Sequence, residues 1–362
     1  MQNSHKISSL QLFILLLLAR VMHTMIYYHG DEGVGLWMMP PVLAVTAIEA
    51  VIAIPVVKLA NSGESVTSAL GSRLGKAAAI CYSAFFIYIL SGTMSYFAEF
   101  MHSEFWRVGA PAVVILILCA AAGYCAYLGI EPVARAASVV AVAFFTLFIA
   151  MALVSEAGFD SLNFEPLRNS DAPNMLNMFV QDLSSSWWLP MLAALSPHLG
   201  GNAVKTAASY LISKLLLIEL LMFLLIGALG DFVRVIGYPI LALGAYARTD
   251  FIRHFDAVNM FVWSLNCVIV GAVYLFIASR GISPKTKPGR IASVVVVSAV
   301  AAAGGITSYY LNIDYRSDTA YIIKLLGIVV LGVILPAVCL LAKRFRLKKE
   351  ESRCECSRRY EC

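Results

Sequence analysis

Charged residues are scarce in this chain. They make up 14% of its 362 residues, whereas hydrophobic residues make up 60%. A soluble globular domain carries about 25% charged residues, which solvate its surface. The charges here are too few to cover a folded core of this size in water, and a soluble domain is therefore excluded.

The motifs on which common enzyme classes depend are also missing. The sequence has no Walker phosphate-binding loop, no dinucleotide-binding glycine fingerprint, no paired-histidine zinc motif and no Gly-x-Ser-x-Gly nucleophile turn. We therefore expect a protein that is not an enzyme, with no catalytic residue, no cofactor, no metal and nothing that could drive transport with ATP.

What the sequence has instead is long apolar blocks. A spanning helix needs about 20 apolar residues at 1.5 Å per residue to cross the hydrocarbon core. The blocks that meet this length predict an all-α membrane protein with ten transmembrane helices, at 7–28, 34–57, 77–101, 110–128, 133–154, 186–204, 207–230, 256–279, 290–311 and 319–342.

Basic residues predict the orientation of these spans. With the amino terminus inside, 18 of the 27 lysines and arginines fall in cytoplasmic segments and 6 in external ones. Cytoplasmic loops of membrane proteins carry such an excess, so both termini are predicted to be cytoplasmic. This scattered pattern does not form a groove for phosphates, and we expect no nucleic-acid partner.

The longest external connection divides the spans five and five. It runs from Ser155 to Ser185 and is predicted to be an acidic loop. Two bundles of five spans have opposite orientations in the membrane, which is typical of an inverted-repeat transporter. We therefore predict one transmembrane domain over 1–343, built from repeats 7–154 and 186–343, followed by a basic cytoplasmic tail at 344–362.

Shorter features are expected between the spans and after them. The segment Asn61 to Lys76 predicts an interfacial amphipathic helix, and Asp231 to Asp256 an external loop with short helices. The tail carries Cys354, Cys356 and Cys362, whose spacing differs from that of a zinc knuckle. Attraction of this basic tail to anionic membrane lipid is the simplest interpretation, with metal binding or acylation as alternatives.

Several segments resemble the spore germination protein family, the B subunits of germinant receptors within the amino acid–polyamine–organocation transporter superfamily. The first helix begins with Ile-Ser and a Gln-Leu pair, in ISSLQLFILLLLARVMHTMIYY. The fifth resembles the family in YLGIEPVARAASVV, with Gly129, Ile130, Glu131 and Arg135. The segment GYPILALGAYARTDFIRHFDAVNMFVW is similar to the family before its eighth helix, and residues Arg253, Asp256 and Trp263 occupy matching positions.

The resemblance implies a ten-helix LeuT-like fold in the inner membrane of a bacterial spore. It also implies binding of a small nutrient, often an amino acid, in a complex with an A subunit and a lipoprotein C subunit. In the family the first helix unwinds at a central glycine, whereas this sequence has Val21, Met22, His23 and Thr24 there. On that position alone, Met22, His23 and Thr24 are candidate ligand-binding residues; a packing role for His23 is the simpler alternative.

Arg20 is the most informative charge inside a span. It lies ~19 Å from the inner end of the first span, near the bilayer midplane, where a charge needs a partner. Glu219 lies at a similar depth and is the favoured partner, with Glu49 second. The pair could fix helix packing, or it could bind a carboxylate or relay a change of state.

The sixth span is short and interrupted by proline, in SSSWWLPMLAALSPHLGGN. A broken helix is the expected position of a midplane binding site, so Pro190 is a further candidate ligand-binding residue. Trp187 and Trp188 are interpreted as an interfacial aromatic belt or, alternatively, as a lid over a small ligand. Tyr88 and Asn266, near mid-depth on the third and eighth spans, could complete the pocket or merely pack helices.

Two lysines also lie within spans. Lys214 is ~10 Å from the inner face and either snorkels to the headgroups or replaces a coupling cation. Lys324 is predicted to be an interfacial anchor. The resemblance favours a nutrient-sensing germinant receptor subunit over an ion-coupled amino acid symporter of the same superfamily. Arg20 and the broken sixth span count against a purely structural scaffold.

Overall fold

The computed structural model describes residues 6–28, 34–63, 66–104, 109–154, 159–164, 171–246, 255–282 and 286–344. Over these residues the chain is helical and forms no named strand. The helices are α1 Ser9–Tyr27, α2 Met39–Ile52, α3 Ile54–Asn61, α4 Val66–Ala69, α5 Gly71–Glu104, α6 Pro111–Leu128, α7 Ile130–Val154, α8 Ala172–Leu183, α9 Trp188–Leu195, α10 Ala203–Leu229, α11 Pro239–Tyr246, α12 Phe255–Ile282, α13 Lys287–Tyr310 and α14 Asp318–Gly327.

Each predicted apolar block coincides with a helix or a pair of helices. Seven helices are long and apolar enough to cross a membrane, and the bent pair Leu36–Ile52 and Ile54–Asn61 makes up to eight. The first block forms the shorter apolar α1, and the sixth is split between helices. The chain is thus a multi-pass membrane protein, and the count of ten spans with cytoplasmic termini stays a prediction.

The long helices pack in two groups. Helices α5, α6, α12 and α13 contact one another, while α10 contacts α1 and α2, and α2 contacts α8. Helix α1 lies between the groups because it also contacts α7 and α12. A charged residue on the inward side of α1 is therefore surrounded by protein and not by lipid.

Helix α1 is continuous where the family resemblance implies unwinding. Ser8 caps its first turn in a capping box with Gln11, and α-helix then runs without a break through Val21–Thr24 to Tyr27. The backbone N–H groups of this stretch are therefore paired within the helix. The unwound first helix is therefore not found, in agreement with the departure of this sequence from the family.

The prediction of an acidic loop between the two repeats is wrong for the second part of that segment. Residues 172–183 form α8, which ends at a turn over 184–187 before α9 begins. The hydroxyls of Ser184 and Ser185 both donate to the carbonyl of Gln181, at 2.9 and 2.7 Å, and this pairing ends the helix. The sixth span therefore starts earlier than predicted and consists of two short helices around a turn.

The other connections differ less from expectation. Instead of one interfacial helix over 61–76, the short α4 is followed by Gly71, whose φ of 79° suits glycine, and then by the long α5. Beyond α10, a 3-10 turn at Gly230–Val235 and α11 confirm the short helices expected there. Residues 247–254 of that segment and the tail from 345 onward lie outside the described residues.

The last span contains a π-helical segment, Ile328–Ile334, which packs against α9. A π segment leaves backbone groups poorly paired, and the Tyr82 hydroxyl donates to the Leu331 carbonyl at 2.6 Å. Gly332 lies at the closest approach, where a Cβ atom would come 2.8 Å from Leu189 Cβ and 3.0 Å from Pro190 Cδ. The absence of a side chain at this glycine allows the two elements to meet.

We expect Gly332→Ala to destabilise the fold by about 1–3 kcal/mol, because the added methyl must displace Leu189 or Pro190. The measurement is the midpoint of thermal unfolding of the purified chain in detergent. Gly237→Ala is the matched control, since a Cβ there meets nothing within 4 Å. Equal midpoints for the two variants would contradict the packing described for Gly332.

Candidate functional site

Four charged side chains meet inside the helical bundle. They come from four separate helices, with Arg20 on α1, Glu49 on α2, Asp182 on α8 and Lys214 on α10. All four are buried, with relative exposures of 6, 1, 1 and 0% respectively. Charges are removed from solvent to this degree only when they are paired, because desolvation of an isolated ion costs several kcal/mol.

The pairing within this four-charge network is continuous. A guanidinium nitrogen of Arg20, Nη2, donates to Asp182 Oδ1. Lys214 Nζ lies 3.0 Å from Asp182 Oδ2 and 2.9 Å from Glu49 Oε2. Two cations thus face two carboxylates, so the network has no net charge when all four groups are ionised.

The turn between α8 and α9 completes the coordination of Glu49. Its Oε1 atom accepts hydrogen bonds from the Ser186 hydroxyl at 2.5 Å and from the Trp188 indole at 3.2 Å. The break in the sixth span is therefore tied to α2 by two hydrogen bonds and to α1 and α10 through Asp182. A movement of this turn would break its hydrogen bonds to Glu49 and, if it carried the end of α8 along, the contacts of Asp182 with Arg20 and Lys214.

The structure corrects the predicted partner of Arg20. It pairs with Asp182 and not with Glu219, whose Oε2 is buried without a hydrogen-bond partner among the described residues. Glu219 follows Lys214 by five positions, which places it about 140° around α10 from the side that carries the lysine. Glu49, the second choice, belongs to the network through Lys214.

Both lysines that lie within spans are buried, so of the two alternatives for Lys214 the snorkelling one is excluded. Lys214 does not snorkel, because both of its carboxylate partners lie in the core. Lys324 is 1% exposed and donates to the Tyr315 carbonyl at 2.7 Å, so it is not an interfacial anchor. Composition and depth along a helix do not reveal which side of the helix faces protein. The prediction for Lys324, and the choice between the two alternatives for Lys214, depended on that side.

The tryptophans of the sixth span are not an interfacial belt. Trp187 and Trp188 are each 2% exposed. The Trp187 ring makes an edge contact with the His23 imidazole at 4.4 Å between centroids, and Trp188 packs on Tyr210 at 4.7 Å. Both indoles line the protein interior next to the charges.

His23 and Thr24 lie one turn beyond Arg20, as expected for their positions. The Ser185 oxygen is 2.6 Å from His23 Nε2, and the serine hydroxyl also donates to the Gln181 carbonyl. Since a hydroxyl has one hydrogen, the imidazole donates to the serine oxygen. The Thr24 hydroxyl donates back to the Arg20 carbonyl at 3.1 Å.

The remaining candidates are spread around the network. Met22 is buried in the core, and Pro190 packs against Gly332. Asn266 on α12 donates to the Leu18 carbonyl at 3.2 Å and so joins the two helix groups near Arg20. Tyr88 is half-buried and stacks near Tyr315 at 5.1 Å between centroids, in the aromatic group around Lys324.

Small cavities border Arg20 on two sides. One, of about 20 Å³, has a mixed lining of polar side chains, among them Arg20, His23, Gln181, Asp182 and Ser185, and of apolar ones such as Met178 and Met222. The other, also about 20 Å³, lies among apolar groups of α1, α7 and α10 such as Phe144, Phe148 and Leu217. Among the described residues, no group of three His, Cys, Asp or Glu side chains could hold a metal ion.

Asp182 and Ser185 were missed because they fall in the segment predicted as an external loop, and Ser186 was missed although it begins the predicted sixth span. One signal was present in the sequence. Met175, Met178 and Asp182 recur at spacings of three and four residues, which places them on one face of a helix. Pro173 precedes this pattern, at a position typical of a first helical turn.

We expect Asp182→Asn to destabilise the fold by about 3–5 kcal/mol, because Arg20 would lose its carboxylate partner and Lys214 one of its two. Glu219→Gln, the matched acid-to-amide control, should change stability by less than about 0.5 kcal/mol because no described pair is lost. Unfolding of both variants in detergent measures the difference. Greater destabilisation by Glu219→Gln would contradict the assignment of Asp182 as the partner of Arg20.

Comparison with known proteins places this site in context. A family model described as spore germination protein matches residues 6–314 of the chain. The match covers α1, α2, α8 and α10, and hence all four charges of the network. No curated protein matches the chain.

Proposed function

This chain belongs to the spore germination protein family, and from that premise we propose that it is the nutrient-sensing subunit of a spore germinant receptor. The family consists of transporter-like and receptor-like membrane proteins with a role in germination. The proposed ligand is a small nutrient, an amino acid, bound in the bundle core. The proposed location is the inner membrane of the spore, in complex with an A subunit and a lipoprotein C subunit.

The observation that carries the proposal is the buried network at the break between α8 and α9. A purely structural scaffold does not require two buried cations, two buried carboxylates and a discontinuous helix at one point. These features suit a binding protein, in which a few polar groups converge within an apolar core. Ligand contact with the turn would be transmitted to four helices through their charges.

The helix packing supports a LeuT-like arrangement of five plus five spans. Helices α5, α6, α12 and α13 form one group, and α1, α2, α8, α9 and α10 surround the charges. In inverted-repeat transporters the ligand lies near the midplane at discontinuous helices. The candidate ligand-binding residues His23, Trp187 and Trp188 lie at such a break, next to Arg20 and Glu49.

We expect deletion of the gene in its spore-forming host to remove the germination response to one nutrient while other nutrients still act. A sensing subunit serves one ligand class, whereas the later steps of germination are shared. Germination is measured by the loss of optical density of spores after addition of single nutrients. Complementation with a tagged copy should restore the response, and the A and C subunits should co-purify with it; an unchanged response to every nutrient would contradict the proposal.

A second candidate function is an ion-coupled amino acid symporter. Lys214 favours it, since a buried lysine between two carboxylates could exchange a proton or replace a coupling cation. The sensor and the symporter would have the same fold, so transport of the nutrient across a membrane is the property that distinguishes them.

For the sensor we expect no accumulation of the nutrient when the purified chain alone is reconstituted in proteoliposomes under a proton or sodium gradient. A sensor needs only to bind its ligand with different affinities in two conformations, and it does not need to couple ion movement to transport of the ligand. Uptake of the radiolabelled nutrient identified by the deletion is the measurement. Accumulation that follows the gradient and stops when an ionophore dissipates it would favour the symporter.

A further inference from the structure

Arg20 has hydrogen-bonding capacity that the protein does not use. One of its nitrogens, Nη2, donates to Asp182, while Nε and Nη1 are buried without a hydrogen-bond partner among the described residues. A guanidinium carries five N–H donors, and each buried donor left unpaired costs about 1–3 kcal/mol. An acceptor that enters the site would bind this guanidinium favourably, because the cost of removing the guanidinium from water was already met when the protein folded.

The backbone N–H groups near Arg20 are not available to donate hydrogen bonds to a ligand. Helix α1 is continuous from Ser9 to Tyr27, so its internal N–H groups are paired within the helix. The Thr24 hydroxyl is also used, because it donates to the Arg20 carbonyl. Among the described groups at this point of α1, the strong unused donors belong to the Arg20 side chain.

The space next to Arg20 has two chemical characters. Arg20 and Thr24 line both small cavities. The first also carries the polar side chains of His23, Gln181, Asp182 and Ser185 beside apolar ones, whereas the second is lined, apart from Arg20, Thr24 and Lys214, by aromatic and aliphatic side chains. A molecule with an acidic group and an apolar part matches this division. Each cavity of about 20 Å³ holds no more than about one water, so the walls must separate when a larger ligand binds.

Charge balance narrows the ligand class further. The two cations and two carboxylates of the network already sum to zero. A simple anion would leave this buried site with an uncompensated charge, which is costly in an apolar interior. A zwitterion brings its own ammonium group and keeps the site neutral.

We propose that the Arg20 side chain anchors the carboxylate of a zwitterionic α-amino acid through Nε or Nη1, in place of backbone donors from an unwound first helix. The apolar side chain of the ligand then enters the space beside Phe144 and Phe148 on α7. This inference rests on the proposed function and specifies the ligand class and the anchoring residue of the same site. Separation of the cavity walls on binding gives the two conformations different affinities, as a sensor requires.

The test compares apolar L-α-amino acids with their C-terminal amides, by calorimetric titration of the purified full-length chain in detergent. The amide lacks the carboxylate charge and should bind about 10- to 100-fold more weakly, the loss expected for one charge-assisted hydrogen bond. In the Arg20→Gln variant, binding of the acid should weaken by the same factor, whereas binding of the amide should not change. Arg234→Gln, an exposed arginine near Asp231, is the matched control and should retain the discrimination.

A second variant covers the case in which Arg20→Gln does not fold. Arg20→Gln combined with Asp182→Asn removes one positive and one negative charge, so the Lys214–Glu49 pair stays neutral. It too should lose the preference for acid over amide. Equal binding of acid and amide by the unsubstituted chain would overturn the inference without any variant.

Other outcomes separate this inference from the proposed function. Persistence of the acid preference in both Arg20 variants overturns the anchoring role. Binding of neutral sugars or nucleosides but of no amino acid overturns the ligand class, while a nutrient-specific deletion phenotype would still support the sensor. Failure of every nutrient to bind, together with an unchanged germination response after deletion, overturns both.

Discussion

The buried network of Arg20, Glu49, Asp182 and Lys214 is the interaction on which the rest of this structure depends. Four ions can stay in an apolar bundle only because each finds an opposite charge within hydrogen-bonding distance. Helices α1, α2, α8 and α10 must therefore meet at one point, and the turn after α8 is held there by hydrogen bonds from Ser186 and Trp188 to Glu49. Hydrophobic packing alone would not determine this register, because lipid chains are as apolar as the helix surfaces.

The same network explains why the interior can serve a ligand without an open cavity. Its charges balance, yet Arg20 keeps unused donors and the adjoining spaces are small. A ligand that supplies acceptors to these unused donors would push apart the walls of the two spaces, which belong to α1, α7, α8 and α10. Binding energy would then appear as a shift between two arrangements of the helices, which is the property that separates a receptor from a scaffold.

The helices could be predicted from the sequence, and the partners of the charges could not. Apolar blocks located every long helix, and depth along α1 identified Arg20 as a charge that needs a partner. The choice of Glu219 failed because equal depth says nothing of the direction in which a side chain points. Asp182 was overlooked since five acidic residues with a single arginine made its segment look like a solvated loop, although Met175 and Met178 share its helical face.

Membrane location, the course of the long helices and the need of Arg20 for a partner all follow from the amino-acid sequence. These properties depend on composition and on order along the chain, because the solvent selects long apolar helices whatever their neighbours are. Three features depend on how the helices pack: α1 stays continuous, the sixth span breaks at three serines, and Arg20 pairs with Asp182. Pairing between ions depends on distances of a few ångströms between helices far apart in sequence, and that information exists only after the helices have packed.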